Sequence, residues 1–179
     1  MKWHGQCGQD RFASETLKSK KNGVWFELGC QGYQINSNTY TLEKEYGWRG
    51  ISIDIDSEQT SKWAGQRNTE DLITADALSL DYKAIFKEHN MPKIIDYASI
   101  DLEAPKLTLD VLDLIPFDEY KFRVITFEHD NYREESRTYN IKEKSRKFFT
   151  DLGYNLVDVE TQNKYWASIH KAEDWWVLT

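Results

Sequence analysis

Residues 24–32 read VWFELGCQG, and residues 49–56 read RGISIDID. The five-residue apolar run Val24–Leu28 stops at Gly29, with Gly32 three positions on. Ile51–Ile55 alternates and is rich in β-branched residues, the pattern of a strand. Asp54 stands 25 residues beyond Gly29. That is close to the roughly 20-residue offset at which an acid after the second strand meets ribose hydroxyls. Strand, glycine turn, helix, strand and acid form the start of a βαβ unit. The Gly-x-x-Gly turn alone is a weak signal, and the acid that follows strengthens it.

The same alternation continues along the chain. Leu72–Ala75, Tyr97–Ile100, Arg123–Phe127, Tyr154–Val159, Tyr165–Ile169 and Trp175–Leu178 read as further strands. Phe12–Lys20 and Asn38–Tyr46 read as helices, the latter capped from Ser37, Asn38 or Thr39. Tyr82, Ile85, Phe86 and His89 share one helical face. Ile141, Phe148, Phe149 and Leu152 mark another helix, closed by Gly153. Strand–helix alternation implies an α/β fold with a mostly parallel central sheet and helices on both faces. The last three strands have little helix between them, which implies an antiparallel C-terminal edge.

With 179 residues, one domain over 1–179 is expected, with 1–22 as an N-terminal helical segment. The net charge of −7 argues against a nucleic-acid partner, because such binding rests on Lys and Arg neutralising phosphates. No run of about 18 apolar residues predicts a membrane span, and no apolar leader follows the first residues. Two cysteines, Cys7 and Cys30, are too few for a disulfide framework or a four-cysteine zinc site, and a reducing cytoplasm is expected. Aromatic residues make up 14%, which raises the question of core filler or flat-ligand platform.

In open α/β sheets ligands bind beyond the carboxyl ends of the strands. Five successive strand ends here carry acids: Glu27, Asp54 with Asp56, Asp76, Asp101 with Glu103, and Glu128 beside His129 and Asp130. Each has a plainer reading. Asp76 and Asp101 could be helix caps, and His129 could be a structural histidine. Five together point to a site.

The residues also carry a resemblance. Gly8-Gln9-Asp10, Phe26-Glu27-Leu28-Gly29, Ser37-Asn38-Thr39-Tyr40, Leu42-Glu43-Lys44 and Gly47-Trp48-Arg49-Gly50 occur in order. Ile53-Asp54, Ser99-Ile100-Asp101-Leu102-Glu103, Ile125-Thr126-Phe127-Glu128-His129 and Glu173-Asp174-Trp175-Trp176 follow. This series resembles the FkbM family of S-adenosylmethionine-dependent methyltransferases nearly end to end. The resemblance implies a Rossmann-like class I methyltransferase fold and S-adenosyl-L-methionine as cofactor. It implies that Glu27 and the Gly29–Gly32 backbone face the amino-acid tail, and that Asp54 holds the ribose. Asp76 and the Ala77 backbone would read adenine, and Asp101 would close the site near the amino group or the methyl. Gln9, Gln31, Gly32, Asn38 and Ile55 complete the implied cofactor set. An acidic pocket suits a cationic cofactor. The chain departs from the pattern at Gly32 and Tyr33, where the family has an acid and a glycine, and at Ala104, where it has a glycine.

The reaction so implied is O-methylation of a hydroxyl on a small molecule or glycan. Its base would come from His129, Glu128, Asp101 and Glu103, with His129 first because its unperturbed pKa lies nearest neutrality. The same acids could take a divalent metal, a hard cation, but nothing in the spacing demands one. The acceptor would be covered by Met1–Asp10, by Asn131–Asn140 or by a second subunit in a dimer. Two rivals remain. One is a nicotinamide-dependent Rossmann enzyme, against which the missing Gly-x-Gly-x-x-Gly counts. The other binds cofactor or partners without catalysis, a reading that Tyr33 and Ala104 motivate. Among the aromatics, Trp3, Tyr33, Trp63 and Trp166 are left as the side chains that could meet a flat ligand.

Overall fold

The structure, a computed structural model, describes residues 2–68, 70–157 and 172–179. Its first half runs α1 (Gln9–Thr16), β1 (Val24–Leu28), α2 (Tyr40–Tyr46), β2 (Arg49–Asp54), α3 (Ser57–Ser61) and β3 (Leu72–Thr74). The second half runs α4 (Tyr82–Glu88), β4 (Ile94–Ile100), α5 (Pro105–Asp110), β5 (Lys121–Glu128), α6 (Glu134–Tyr139), α7 (Ile141–Asp151), β6 (Tyr154–Leu156) and β7 (Glu173–Leu178). The expected strand Tyr165–Ile169, the end of Tyr154–Val159 and Trp166 lie outside the described residues.

The strands form a sheet in the order β3-β2-β1-β4-β5-β7-β6. Pairings among β1 to β5 are parallel, and β7 runs antiparallel between β5 and β6. This is the expected mostly parallel sheet with an antiparallel edge region. The order reverses between β1 and β4, the switch point where an open sheet leaves a crevice.

Side-chain alternation splits the core into two layers. Phe26, Leu28, Ile51, Ile53, Ala98 and Ile100 point to one side, toward Phe86 of α4 and Phe149 of α7. Trp25, Tyr97, Val124 and Trp175 point to the other, toward Phe12 of α1 and Leu42 of α2. Each such large apolar side chain contributes about 1.5–3 kcal/mol on burial. Most of the aromatic excess is therefore core.

Local rules set the element ends. Pro105 opens α5, where its missing N–H costs nothing. Asp81 caps α4 by accepting from the Ala84 N–H. Gly153, with φ +85°, stops the chain after α7. α1 ends four residues earlier than its pattern suggests. Lys18 and Ser19 turn left-handed, and Lys20 instead reaches the buried Asp96 at 2.7 Å. β4 starts three residues earlier than expected, because its ladder to β5 begins at Ile94 and Lys121.

Candidate functional site

A cavity of about 820 Å3 lies beyond the carboxyl ends of β1 to β4. That is a volume typical of small-molecule sites. Gly29 follows β1, Ile53–Asp56 close β2, Ala75–Ala77 follow β3, and Asp101–Glu103 follow β4, all on its wall. The segment Gln31–Asn36 covers one side, while Gln59, Lys62 and Leu107 complete the rim.

The turn after β1 is possible because residue 29 is glycine. Its φ is +76°, and a Cβ there would sit 1.7 Å from the Asp101 carbonyl oxygen. The β1 and β4 ends therefore touch backbone to backbone, which brings Asp101 beside the glycine turn. Asp54 is fixed by two N–H groups. Its Oδ2 accepts from Gln31 at 2.7 Å and its Oδ1 from Asp56 at 2.9 Å. Asp56 caps α3, and Asp76 caps the short turn Ala77–Ser79 through the Leu78 N–H. The plainer cap reading thus holds for Asp76, which still lines the cavity, while Asp101 caps no helix.

The cavity wall carries Asp54, Asp56, Asp76, Asp101 and Glu103 against one cation among the described lining residues, Lys62. Ile55, 71% exposed, and Ile35, 79% exposed, present apolar side chains to it. Such a wall suits a ligand with an apolar ring, hydroxyl groups and positive charge. A pyrophosphate would meet like charge.

Behind Asp101 lies a row of acids made by strand register. Ile100 pairs with Phe127, so Asp101 stands beside Glu128, and Glu128 pairs with Glu173 across to β7. Neighbouring strands are about 4.8 Å apart, so adjacent carboxylates in such a row repel. Glu173 accepts from Gln9 Nε2 at 2.6 Å and from Trp175 Nε1 at 2.7 Å. Glu128 shares a hydrogen bond with Asp101, which requires a proton on one of them. Burial pushes both carboxyls up, and the charges of Asp101, Asp130 and Glu173 add to the rise at Glu128. Glu173 is raised to about 8 by burial and by Asp101.

The remaining expected site residues stand outside the cavity wall. Glu27 is buried and accepts from Thr39 Oγ1 at 2.8 Å and Ser52 Oγ at 2.7 Å, which ties it to the loop and to β2. Burial raises its carboxyl, opposed by Arg67 and the two hydroxyls. Gln9 is spent on Glu173 and on the Cys7 N–H. Asn38 donates to Ser99 Oγ at 2.9 Å, and its Oδ1 is a buried acceptor without a hydrogen-bond partner. Glu128 lies one strand beyond the wall.

His129, the first-ranked base, is fully buried. Its Nδ1 accepts from the Asn131 N–H, and its Nε2 lies 3.6 Å from Asp174. Asp174 in turn takes both arms of Arg146, at 2.6 and 2.8 Å. The structural-histidine reading fits this geometry, since β5 turns the ring away from the cavity and toward β7.

Among the aromatics held open, only Tyr33 of the described residues lines the cavity. Trp3 stacks on Tyr46 with ring centroids 6.3 Å apart, and Trp63 is buried under the cavity loop. Sequence reading kept Trp63 only as a possible ligand platform and missed Arg67, so neither was found as a site-building residue. They lie in a turn with no periodicity, and nothing local signals their long-range partners. Cys7 and Cys30 are buried free thiols, both pushed up by burial. Among the described residues no group of three or more His, Cys, Asp or Glu is placed to hold a metal ion. No described helix is long and apolar enough to cross a membrane.

No family model and no curated protein matches the chain. Solved structures do. A Clostridium thermocellum protein assigned by name to the rRNA methylases is 12% identical, with TM-score 0.56 over 98% of this chain and 97% of that one. An O-methyltransferase from Bacillus cereus, in complex with S-adenosylhomocysteine, is 15% identical, with TM-score 0.56 over 96% and 80%. The plantazolicin methyltransferase BpumL, bound to a substrate analogue and S-adenosylhomocysteine, is 12% identical, with TM-score 0.54 over 96% and 83%. At such identities the likeness shows the fold, which is the Rossmann-like class I methyltransferase fold.

Proposed function

We propose that this chain is an S-adenosylmethionine-dependent methyltransferase of the FkbM type. Residues 1–179 act as one domain in a reducing cytoplasm, and the acceptor is a hydroxyl of a small molecule or glycan. One observation carries the reading. Among the described residues, the cavity at the switch point sets five carboxylates against one lysine, which favours a cationic cofactor and disfavours a dinucleotide. Cofactors of the similar solved structures, S-adenosylhomocysteine in two of them, support the same choice.

The residues present fit that group. Asp54, held by two N–H groups, offers its remaining lone pairs to a ribose diol. Ile55 and the Ala77 backbone flank Asp76 and suit a purine edge. Gly29, Gln31 and Gly32 leave backbone exposed for the amino-acid tail, while Glu27, Asn38 and Gln9 brace them from outside the wall. When bound, the cofactor supplies an electrophilic methyl carbon on a sulfonium. The protein's own work is then alignment and proton removal, to which positioning contributes most. Asp101 and Glu103 are the acids at the far end of the wall, so Asp101 replaces His129 as the first base, with Glu128 behind it.

Titration calorimetry with S-adenosylmethionine, S-adenosylhomocysteine and NAD tests this. One-to-one binding of the first two is expected, NAD giving no heat, and Asp54→Ala weakening affinity by about 100-fold through two lost hydrogen bonds to the ribose. Absence of binding by wild-type protein overturns the proposal. Binding without turnover on hydroxylated acceptors would return the non-catalytic reading.

A further inference from the structure

The cavity loop Cys30–Thr39 supplies six consecutive lining residues, Gln31–Asn36, yet it has no regular structure of its own. Its entry is strained, because Gln31 adopts φ +46°, a left-handed conformation that costs a non-glycine residue about 1 kcal/mol. The residue is pinned on both sides. The Gln31 N–H donates to Asp54 Oδ2 at 2.7 Å, and the Gln31 carbonyl accepts from Trp63 Nε1 at 3.0 Å. The loop exit is pinned by Arg67, which donates to Ser37 Oγ at 3.1 Å and to Thr39 Oγ1 at 2.9 Å. The same guanidinium binds Glu43 Oε2 at 2.6 Å and lies 3.9 Å from the Trp63 ring centroid. Arg67 is 5% exposed and Trp63 1%. Burial pushes the Glu43 carboxyl up, and the charge and hydrogen bonds of Arg67 and Lys44 together outweigh it and hold Glu43 low.

We infer that Trp63 and Arg67 are positioning residues which, as one stacked pair, lock both ends of the cavity loop in its ligand-ready shape. Neither lines the cavity. Their effect runs through Gln31, Ser37 and Thr39, so that the ligand meets a loop already ordered and binding does not bear that ordering entropy. Only the planar, forked guanidinium reaches three acceptors while stacking on an indole. Lysine, a point charge, cannot. The inference rests on the proposed function for the ligand's identity, but not for the locking itself.

Trp63→Phe keeps the stack and removes the pin on Gln31, whereas Arg67→Lys keeps the charge and removes the fork. Hydrogen exchange on ligand-free protein reads the loop directly. Both variants are expected to speed amide exchange at residues 31–39 at least tenfold, with β1, β2 and β4 unchanged. Affinity for S-adenosylhomocysteine, read by calorimetry, is expected to fall about tenfold in Trp63→Phe, corresponding to one lost ordering contact. Adding Gln31→Gly to that variant is expected to recover at least half of the loss, because glycine adopts the left-handed conformation unaided. A merely structural tryptophan would show no such rescue. Unchanged loop exchange in Trp63→Phe overturns the inference, as does weakened affinity with no recovery in the double variant. Wild-type protein that binds no S-adenosylhomocysteine overturns the function proposed above, and the exchange measurement still decides the lock.

Discussion

Glu128→Gln is expected to stabilise the protein, and increasingly so as pH rises. In the fold Glu128 stands between Asp101 and Glu173 on adjacent strands, and shares a hydrogen bond with Asp101. Burial, and then Asp101, hold its carboxyl protonated where an exposed glutamate is ionised. The unfolded chain loses that proton near pH 4.3, so folding above this pH takes one proton up, and stability falls by about 1.4 kcal/mol per pH unit. Raised folded-state affinity for the proton means the stability is complete below the unfolded value and erodes as pH climbs. Glutamine is neutral at every pH and has no proton to acquire. The variant therefore gains up to about 3–4 kcal/mol at pH 7, less about 1 kcal/mol if its amide makes a poorer bond to Asp101. Urea unfolding at pH 6, 7, 8 and 9, with the m-value checked for constancy, reads the effect. The wild-type curve is expected to fall about 1.4 kcal/mol per unit more steeply than the variant's. Parallel curves, or a constant offset, would refute the protonated row. Glu173→Gln provides a comparison. Because Glu173 is raised only to about 8, its flattening ends near pH 8, whereas that of Glu128→Gln continues.

Asp174 gives the opposite sign. Burial pushes its carboxyl up, but the Arg146 fork and His129 outweigh burial and hold it at about 2. Its contribution is present above about pH 4 and lost as pH falls toward 2. Asp174→Asn is expected to cost about 2–3 kcal/mol at neutral pH by leaving Arg146 and His129 short of a charge. The gap to wild type should close in thermal melts below pH 3, and a pH-independent gap would count against the ion pair. Gly29→Ala is expected to destabilise by about 3 kcal/mol or more, since a Cβ would overlap the Asp101 carbonyl at positive φ. A thermal melt within a degree of wild type would refute the backbone contact between the β1 and β4 ends.

The fold was largely legible in the sequence because it depends on local signals. Val24–Leu28 and Ile51–Ile55 carry strand periodicity, and Gly29 marks the turn. Pro105 and Gly153 mark helix ends by backbone rules that need no distant partner. The cavity was legible at Asp54, Asp76 and Asp101, since a residue following a parallel strand is delivered to the same sheet edge whatever surrounds it.

Direction and company were not legible. His129 and Glu128 are sequence neighbours at the end of β5, and by sequence either could face a ligand. In the fold the half-buried Glu128 joins the row behind Asp101, and His129 is closed in against Asp174. Glu27, equally placed at a strand end, is claimed by the hydroxyls of Thr39 and Ser52. Arg67 carries no local signal, yet it ties together Ser37, Thr39, Glu43 and Trp63. Sequence by itself determined which residues arrive at the carboxyl edge, because where each strand ends and how its side chains alternate follow from short-range chemistry. Tertiary structure alone decided which of them see the cavity and which hold a proton. Burial and the charge of side chains distant in sequence set both.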